Sequence, residues 1–131
     1  DKNIVLCMEL LNSKVNHPDY QCDRTAWGVE VCKRVGSPNV KLLYDIYHMQ
    51  RNEGHLIPTI ELCWDEIAYF QIGDNPGRKE PNTGEVNYKN IFKYIHSRGY
   101  TGVMGMEHGN SLPGKDGELA VIKAYRDCDN F

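Results

Sequence analysis

No stretch of this sequence approaches the ~20 consecutive apolar residues that a membrane-spanning helix needs, so no membrane partner is expected. No two cysteines stand as CxxC, and the five present, Cys7, Cys22, Cys32, Cys63 and Cys128, are an odd number. That argues against a disulfide scaffold or a zinc ribbon. Reduced, buried thiols in a cytoplasmic protein are the plain expectation, with Cys7, Cys32 and Cys63 inside apolar patterns. Basic charge is also short: 15 Lys and Arg face 18 Asp and Glu, for a net charge of -3. General binders of phosphate backbones are usually basic, so nucleic acid is not expected as a partner. The start, Asp1-Lys2-Asn3, carries no Met and leads straight into an apolar run, so no signal peptide is expected.

What is there is ordinary globular material: 40% of residues are hydrophobic and 25% charged. Four short apolar runs, residues 3–10, 40–46, 67–73 and 102–108, are bounded by Gly, Pro, Asn or Asp. Near-continuous apolar runs of this length suit strands of a parallel sheet buried on both faces. Between them lie helical patterns. Thr25 to Val35 places Ala26, Val29, Val31, Cys32 and Val35 largely on one side, and Gly36 then Pro38 end it. Leu56 to Trp64 is a weaker pattern containing Pro58, which fits a first helical position. Tyr88 to Arg98 has Asn87 as its cap and Gly99 beyond its end, and Glu118 to Arg126 carries Leu119, Val121, Ile122 and Tyr125.

The order β-α-β-α-β-α-β-α implies parallel strands joined by right-handed crossovers. Four units in 131 residues give roughly 33 residues each, and eight such units would reach the ~250 residues of a (β/α)8 barrel. Residues 1–131 are therefore expected to form half of one TIM barrel. A small doubly wound α/β domain is the alternative. It would usually place a Gly-rich phosphate loop after the first strand, where this chain has Leu11-Asn12-Ser13-Lys14.

Each run carries one oxygen-bearing side chain near its C-terminal end: Glu9, Asp45, Gln71 and Glu107. A single such carboxylate is commonly a helix cap or the partner of a lysine. Four in four strands point instead to the barrel face where the strand ends converge. Burying three carboxylates there costs several kcal/mol each without cations, and a divalent cation is the simplest compensation. Three carboxylates and an amide oxygen are hard donors, which favour Mg2+ or Mn2+ over zinc. His48, three residues after Asp45, reads either as a further ligand or as a hydrogen-bonded loop residue. His17, His55 and His96 have no partner pattern and read as surface residues. His108 should point to the other side of its strand from Glu107. The long polar stretch from Gln71 to Tyr88 reads either as a compact surface loop or as a substrate loop in which Arg78 clamps an anionic group.

In Glu9-Leu-Leu-Asn12-Ser13, Asn39-Val-Lys-Leu-Leu-Tyr-Asp45-Ile-Tyr-His48-Met-Gln50, Pro76-Gly77-Arg78-Lys-Glu80-Pro81-Asn-Thr-Gly84-Glu85 and Gly105-Met-Glu107, the sequence resembles the hydroxypyruvate isomerase-like branch of the xylose-isomerase-like TIM barrels. That superfamily also holds sugar phosphate isomerases and ketose 3-epimerases. The motifs cover nearly the whole chain but only the C-terminal half of the family's barrel. The resemblance implies that Glu9, Asp45, Gln71 and Glu107 hold the metal and that Glu9 and Glu107 are also the acid/base pair. It implies that His48 and Arg78 contact the substrate, a small hydroxy-keto acid or sugar. The implied reaction is aldose–ketose isomerisation through an enediolate, hydroxypyruvate to 2-hydroxy-3-oxopropanoate. Ketose epimerases have His where this chain has Gln71. Leu10 stands where the branch commonly has Pro, and His108 where Tyr is frequent.

Three other functions remain open at this stage: a ketose 3-epimerase with the same site, a metal-dependent DNA-repair endonuclease, and a non-catalytic half-barrel kept as an interaction module. Four βα units alone leave two sheet edges unpaired. The chain is therefore expected to pair with the missing N-terminal half-barrel or to self-associate. Leu6, Leu43, Phe70 and Met104 are expected on or near the barrel-interior face.

Overall fold

The computed structural model describes residues 4–131, so Asn3, where the first expected strand begins, lies outside the described residues. The elements follow the order β1 (Leu6–Glu9), α1 (Thr25–Val35), β2 (Val40–Asp45), α2 (Ile46–Asn52), α3 (Leu56–Leu62), a 3-10 turn (Trp64–Glu66), β3 (Ile67–Ile72), α4 (Tyr88–Ser97), β4 (Met104–Met106) and α5 (Gly114–Cys128). The strands form one parallel sheet in the order β1-β2-β3-β4. Chain order and spatial order coincide because each strand returns through a helix on the same side. No helix among the described residues is long and apolar enough to cross a membrane.

Local chemistry explains most boundaries. Helix α1 stops where Gly36 takes φ 64 and its N–H returns to Cys32 O, a turn that favours glycine. Helix α4 starts where the Asn87 side chain accepts from Asn90 N at 3.1 Å. Pro58 sits in the first turn of α3, where its missing N–H leaves no helical bond unmade. Helix α5 begins at Gly114, a turn earlier than the apolar pattern suggests. Its buried Gly117 is needed there, because a side chain at that position would collide with Leu112 O.

The core lies between the sheet and its helices. Leu42 and Tyr44 of β2 and Phe70 and Ile72 of β3 point into it, against Met49, Ile60, Tyr88, Ile91 and Ile95, all at most 3% exposed. Phe70 sits edge-on to Tyr100, with centroids 5.2 Å apart, and to Tyr44 at 6.1 Å. Full burial of such a side chain contributes about 1.5–3 kcal/mol. This placement corrects the expectation for the concave face. Strand alternation puts Leu43 there, but Phe70 is a core residue. Met104 also packs against the core, and Leu6 shares the parity of the buried Leu10. The concave face instead carries Glu9, Leu43 and Asp45, then Tyr69, Gln71 and Gly105. At Gly105 the absent Cβ leaves room for the Tyr69 hydroxyl.

The five thiols are free, but only Cys22, Cys32 and Cys128 are buried; Cys63 is half-buried, and Cys7 is exposed, against expectation. Apolar side chains at the sheet edges are open too, with Leu6 65%, Val103 76% and Met106 63% exposed.

Candidate metal centre

Strand β2 runs into α2 with no loop between them, and the junction is Asp45. Its carboxylate accepts from His48 N at 3.2 Å, so the side chain caps α2 while lying at the strand's C-terminal end. Register carries the neighbours to the same height: Asp45 is level with Gln71, and Gln71 with Gly105. Glu107 follows β4 and is tied to β3 by its N–H on Ile72 O at 3.0 Å. Gly73 makes this possible, since a Cβ there would press on Glu107 O. Glu9 ends β1.

These side chains meet. Glu9, Asp45, His48 and Glu107 each offer an atom suited to a cation, and the four atoms lie within 4.8 Å of one another. The Gln71 amide joins them: one of its terminal atoms is 3.2 Å from Glu9 Oε1 and 3.0 Å from Glu107 Oε2, and it faces only acceptors. As NH2 that atom donates to both carboxylates. The three carboxylates are hard oxygen donors of the kind that suits a divalent ion, with His48 and the Gln71 amide beside them.

Arg78 enters the same space. The stretch from Gln71 to Tyr88 is a packed loop built on two buried carboxylates, not a loose polar one. Asp74, fully buried, accepts from Asn75 N at 2.8 Å, Gly84 N at 2.9 Å and Val86 N at 3.1 Å. Glu80, 2% exposed, accepts from Ser111 N at 2.9 Å and from the Ser111 hydroxyl. Within this frame Arg78 takes φ 51 and its N–H bonds Asp74 O at 2.7 Å. Its Nη2 lies 2.7 Å from Glu107 Oε2, 3.4 Å from Asp45 Oδ2 and 3.2 Å from His48 Nε2. The guanidinium also lies over the Tyr47 ring, 4.8 Å from its centroid. Arg78, expected to clamp a substrate, thus pairs here with the site's own carboxylates.

The electrostatics follow from burial. Burial, together with a hydrogen bond shared with Glu107, pushes the Asp45 carboxyl up to about 7, against the pull of His48 N–H and Arg78. Glu9 is raised by burial and then by Glu107, with Arg78 opposing. Burial lowers His48 to about 3, helped by the positive charge of Arg78. Burial thus favours the neutral ring of His48.

Several residues near the site carried no signal in the sequence. His17, expected on the surface, brings its ring within 5.3 Å of His48. Tyr47 lies under Arg78, and Arg51 Nε donates to the Tyr47 hydroxyl at 2.9 Å. Asn12 stands in the first motif but had no assigned role; its backbone N–H reaches His48 Nδ1 at 3.1 Å. His108 points away from Glu107, as strand alternation requires, and meets the Tyr125 hydroxyl at 2.9 Å.

Known proteins share this arrangement of elements. The chain is 43% identical over 102 residues to hydroxypyruvate isomerase of Escherichia coli K12, covering 76% of this chain and 40% of that protein. It is 32% identical over 124 residues to 2-oxo-tetronate isomerase of Cupriavidus necator, covering 95% and 47%. Its fold superposes with a TM-score of 0.83 on a crystal structure of an AP endonuclease, family 2, from Brucella melitensis, at 36% identity, covering 93% of this chain and 46% of that one. The chain spans about half the length of the relatives it matches. The family model described as xylose isomerase-like TIM barrel matches residues 1–128, and the four parallel βα units are a partial barrel of that kind. The chain belongs to the xylose isomerase-like TIM barrel family.

Proposed function

We propose that this chain carries the reaction centre of a metal-dependent aldose–ketose isomerase that converts hydroxypyruvate to 2-hydroxy-3-oxopropanoate. The observation that carries the reading is the convergence of Glu9, Asp45, Gln71 and Glu107, with Arg78 beside them, at one end of the sheet. The 43% identity to an enzyme named for that reaction supports the substrate. Glu9, Asp45, Gln71 and Glu107 would hold Mg2+ or Mn2+, which supplies charge stabilisation for oxygens beside the reacting carbons.

The chain's own groups do the rest. One glutamate removes a proton from the hydroxyl-bearing carbon beside the carbonyl, giving the enediolate. The other returns a proton at the former carbonyl carbon, and a proton passes between the two oxygens to complete the isomerisation. The two carboxylates are not equivalent: burial raises Glu9, whereas Glu107 accepts from Arg78 at 2.7 Å. Such asymmetry suits one group to give a proton and the other to take one. His48 and Arg78 orient the substrate. Arg78 Nε is buried with no partner among the described residues, and a shift of the side chain toward a substrate carboxylate would satisfy it bidentately.

The same reading makes the chain about half of a closed barrel, with β1 and β4 the edges that preceding units or a second copy would pair. The test is turnover of hydroxypyruvate by the full-length protein with Mn2+ in deuterated water. Product formation with deuterium at the new C–H bond is expected. Turnover of a ketose by inversion at its third carbon, with none of hydroxypyruvate, would replace the isomerase with an epimerase.

A further inference from the structure

Between β1 and the site lies a chain of polar groups whose hydrogen-bond polarity is fixed from both ends. At one end Arg51 Nε can only donate, so the Tyr47 hydroxyl accepts from it at 2.9 Å. The hydroxyl's own proton then goes to Asn16 Oδ1 at 3.1 Å. The same Asn16 oxygen accepts from Asn12 Nδ2 at 2.8 Å. At the other end the Asn12 amide cannot be turned over, because its Oδ1 accepts two backbone N–H groups, Val15 N at 3.1 Å and Asn16 N at 3.0 Å. One Asn12 amide hydrogen is used on Asn16. The other points at His48 Nδ1, 2.6 Å away. The Asn12 backbone N–H reaches the same ring nitrogen at 3.1 Å.

His48 Nδ1 thus faces two donors, one of which is a main-chain N–H that can do nothing else. A neutral imidazole has one acceptor nitrogen and one N–H. The competing contact is Arg78 Nη2, 3.2 Å from Nε2, which would prefer an acceptor there. The two sides are unequal. Asn12 is fully buried, and an orphaned buried N–H is costly. The Arg78 side chain is 30% exposed, and its Nη2 already has Glu107 Oε2 at 2.7 Å. The buried side decides the tautomer.

We propose that Asn12 is a positioning residue that holds His48 as the Nε2–H tautomer, so that the ring faces the site as a hydrogen-bond donor and stays out of the metal's ligand set. A protonated Nε2 cannot ligate, and Nδ1 is turned away onto Asn12. His48 Nε2 lies 3.7 Å from Asp45 Oδ2, so its hydrogen faces the carboxylate cluster. The donor role toward substrate rests on the isomerase reading; the tautomer does not.

Nitrogen NMR of the 15N-histidine-labelled full-length protein tests it, without and with Mg2+. The expected spectrum has an acceptor-type Nδ1 and an N–H-type Nε2 for His48, and Nε2 keeps its proton when Mg2+ is added. A proton on Nδ1, or an Nε2 that loses its proton to Mg2+, would overturn the assignment. Asn12→Asp keeps the oxygen that caps the turn but replaces the NH2 donor with an acceptor. It should move the His48 proton toward Nδ1, and an unchanged ring spectrum in this variant would remove Asn12 from the role. Should that variant not fold, the wild-type spectrum alone decides the tautomer. In the full-length enzyme Asn12→Asp should lower kcat by about tenfold, the scale of one lost hydrogen bond in the transition state, with KM little changed. No turnover of hydroxypyruvate by the wild type, with the expected ring spectrum intact, would sink the isomerase reading and leave the tautomer standing.

Discussion

The two central strands and the two edge strands contribute to the same site under different conditions. Asp45, at the end of β2, is 1% exposed and fixed by the helix it caps. Glu107, at the end of β4, has a side chain 45% exposed and held mainly by Arg78. The apolar residues divide in the same way. Tyr44 and Phe70 are at most 1% exposed, whereas Leu6 and Val103 are 65% and 76% exposed. A parallel strand is complete only when both neighbours and a covering helix are present. The central site residues therefore have a preset geometry, and the edge ones depend on what pairs with the edge.

The largest break in this comparison is chemical. Glu9→Gln and Glu107→Gln in the full-length protein should each slow proton exchange at the substrate carbon by at least ~10²–10⁴-fold, since an amide can touch a metal but cannot take a proton. Deuterium exchange followed by NMR checks both, and a near-normal rate would remove that residue from the acid/base role. Next comes the core. Phe70→Ala should cost about 3–5 kcal/mol in urea unfolding, whereas Val103→Ala at the edge should stay within about 0.5 kcal/mol. Equal effects would mean that the edge is as well packed as the centre.

Arg78→Ala should raise KM for an acidic substrate much more than for a neutral ketose, because a carboxylate clamp contributes mainly binding. The same variant should bind Mn2+ more tightly, since the guanidinium no longer sits on Asp45 and Glu107. Equal KM changes on both substrates would confine Arg78 to holding the carboxylates and the loop.

A further effect is on pH. Asp45 stands at about 7 when folded, above the ~3.9 of a free aspartate. The folded state therefore holds that proton more tightly than the unfolded one. Its contribution to stability is complete below the unfolded value and is lost as pH rises through about 7. The metal-free chain should be less stable at pH 8 than at pH 5 on this account. Mn2+ must displace the same proton, so its affinity should rise with pH and flatten above about 7. Calorimetry at several pH values checks both trends.

Much of this was legible in the sequence, and the failures have physical causes. Four strands and the span of α1 followed from short apolar runs and their breakers. Helix α2 did not, because apolar residues fall on both sides of the strand–helix junction, Leu42, Leu43 and Tyr44 before Asp45 and Ile46, Tyr47 and Met49 after it, and periodicity does not divide so short a helix from the strand. Asp45 shows why: its dull role as a cap and its role in the cluster are one placement. The first turn of α5 was hidden by Gly114-Lys-Asp-Gly117, which has no apolar residue to mark it. Phe70 was assigned to the wrong face because a strand apolar on both sides gives no parity signal. Glu9, Asp45, Gln71 and Glu107 could be found from strand ends alone. Asn12, His17 and Tyr47 could not, because only tertiary packing brings their loop and helix to His48.

The central claim is that four strand-end groups form one cation site. Titration of the chain with Mn2+, followed by loss of the free-ion electron paramagnetic resonance signal, tests it most directly. One Mn2+ per chain should bind, and Asp45→Asn, which removes a buried charge at the site's fixed centre, should abolish that binding. No uptake by the wild type, or equal uptake by Asp45→Asn, would contradict the account.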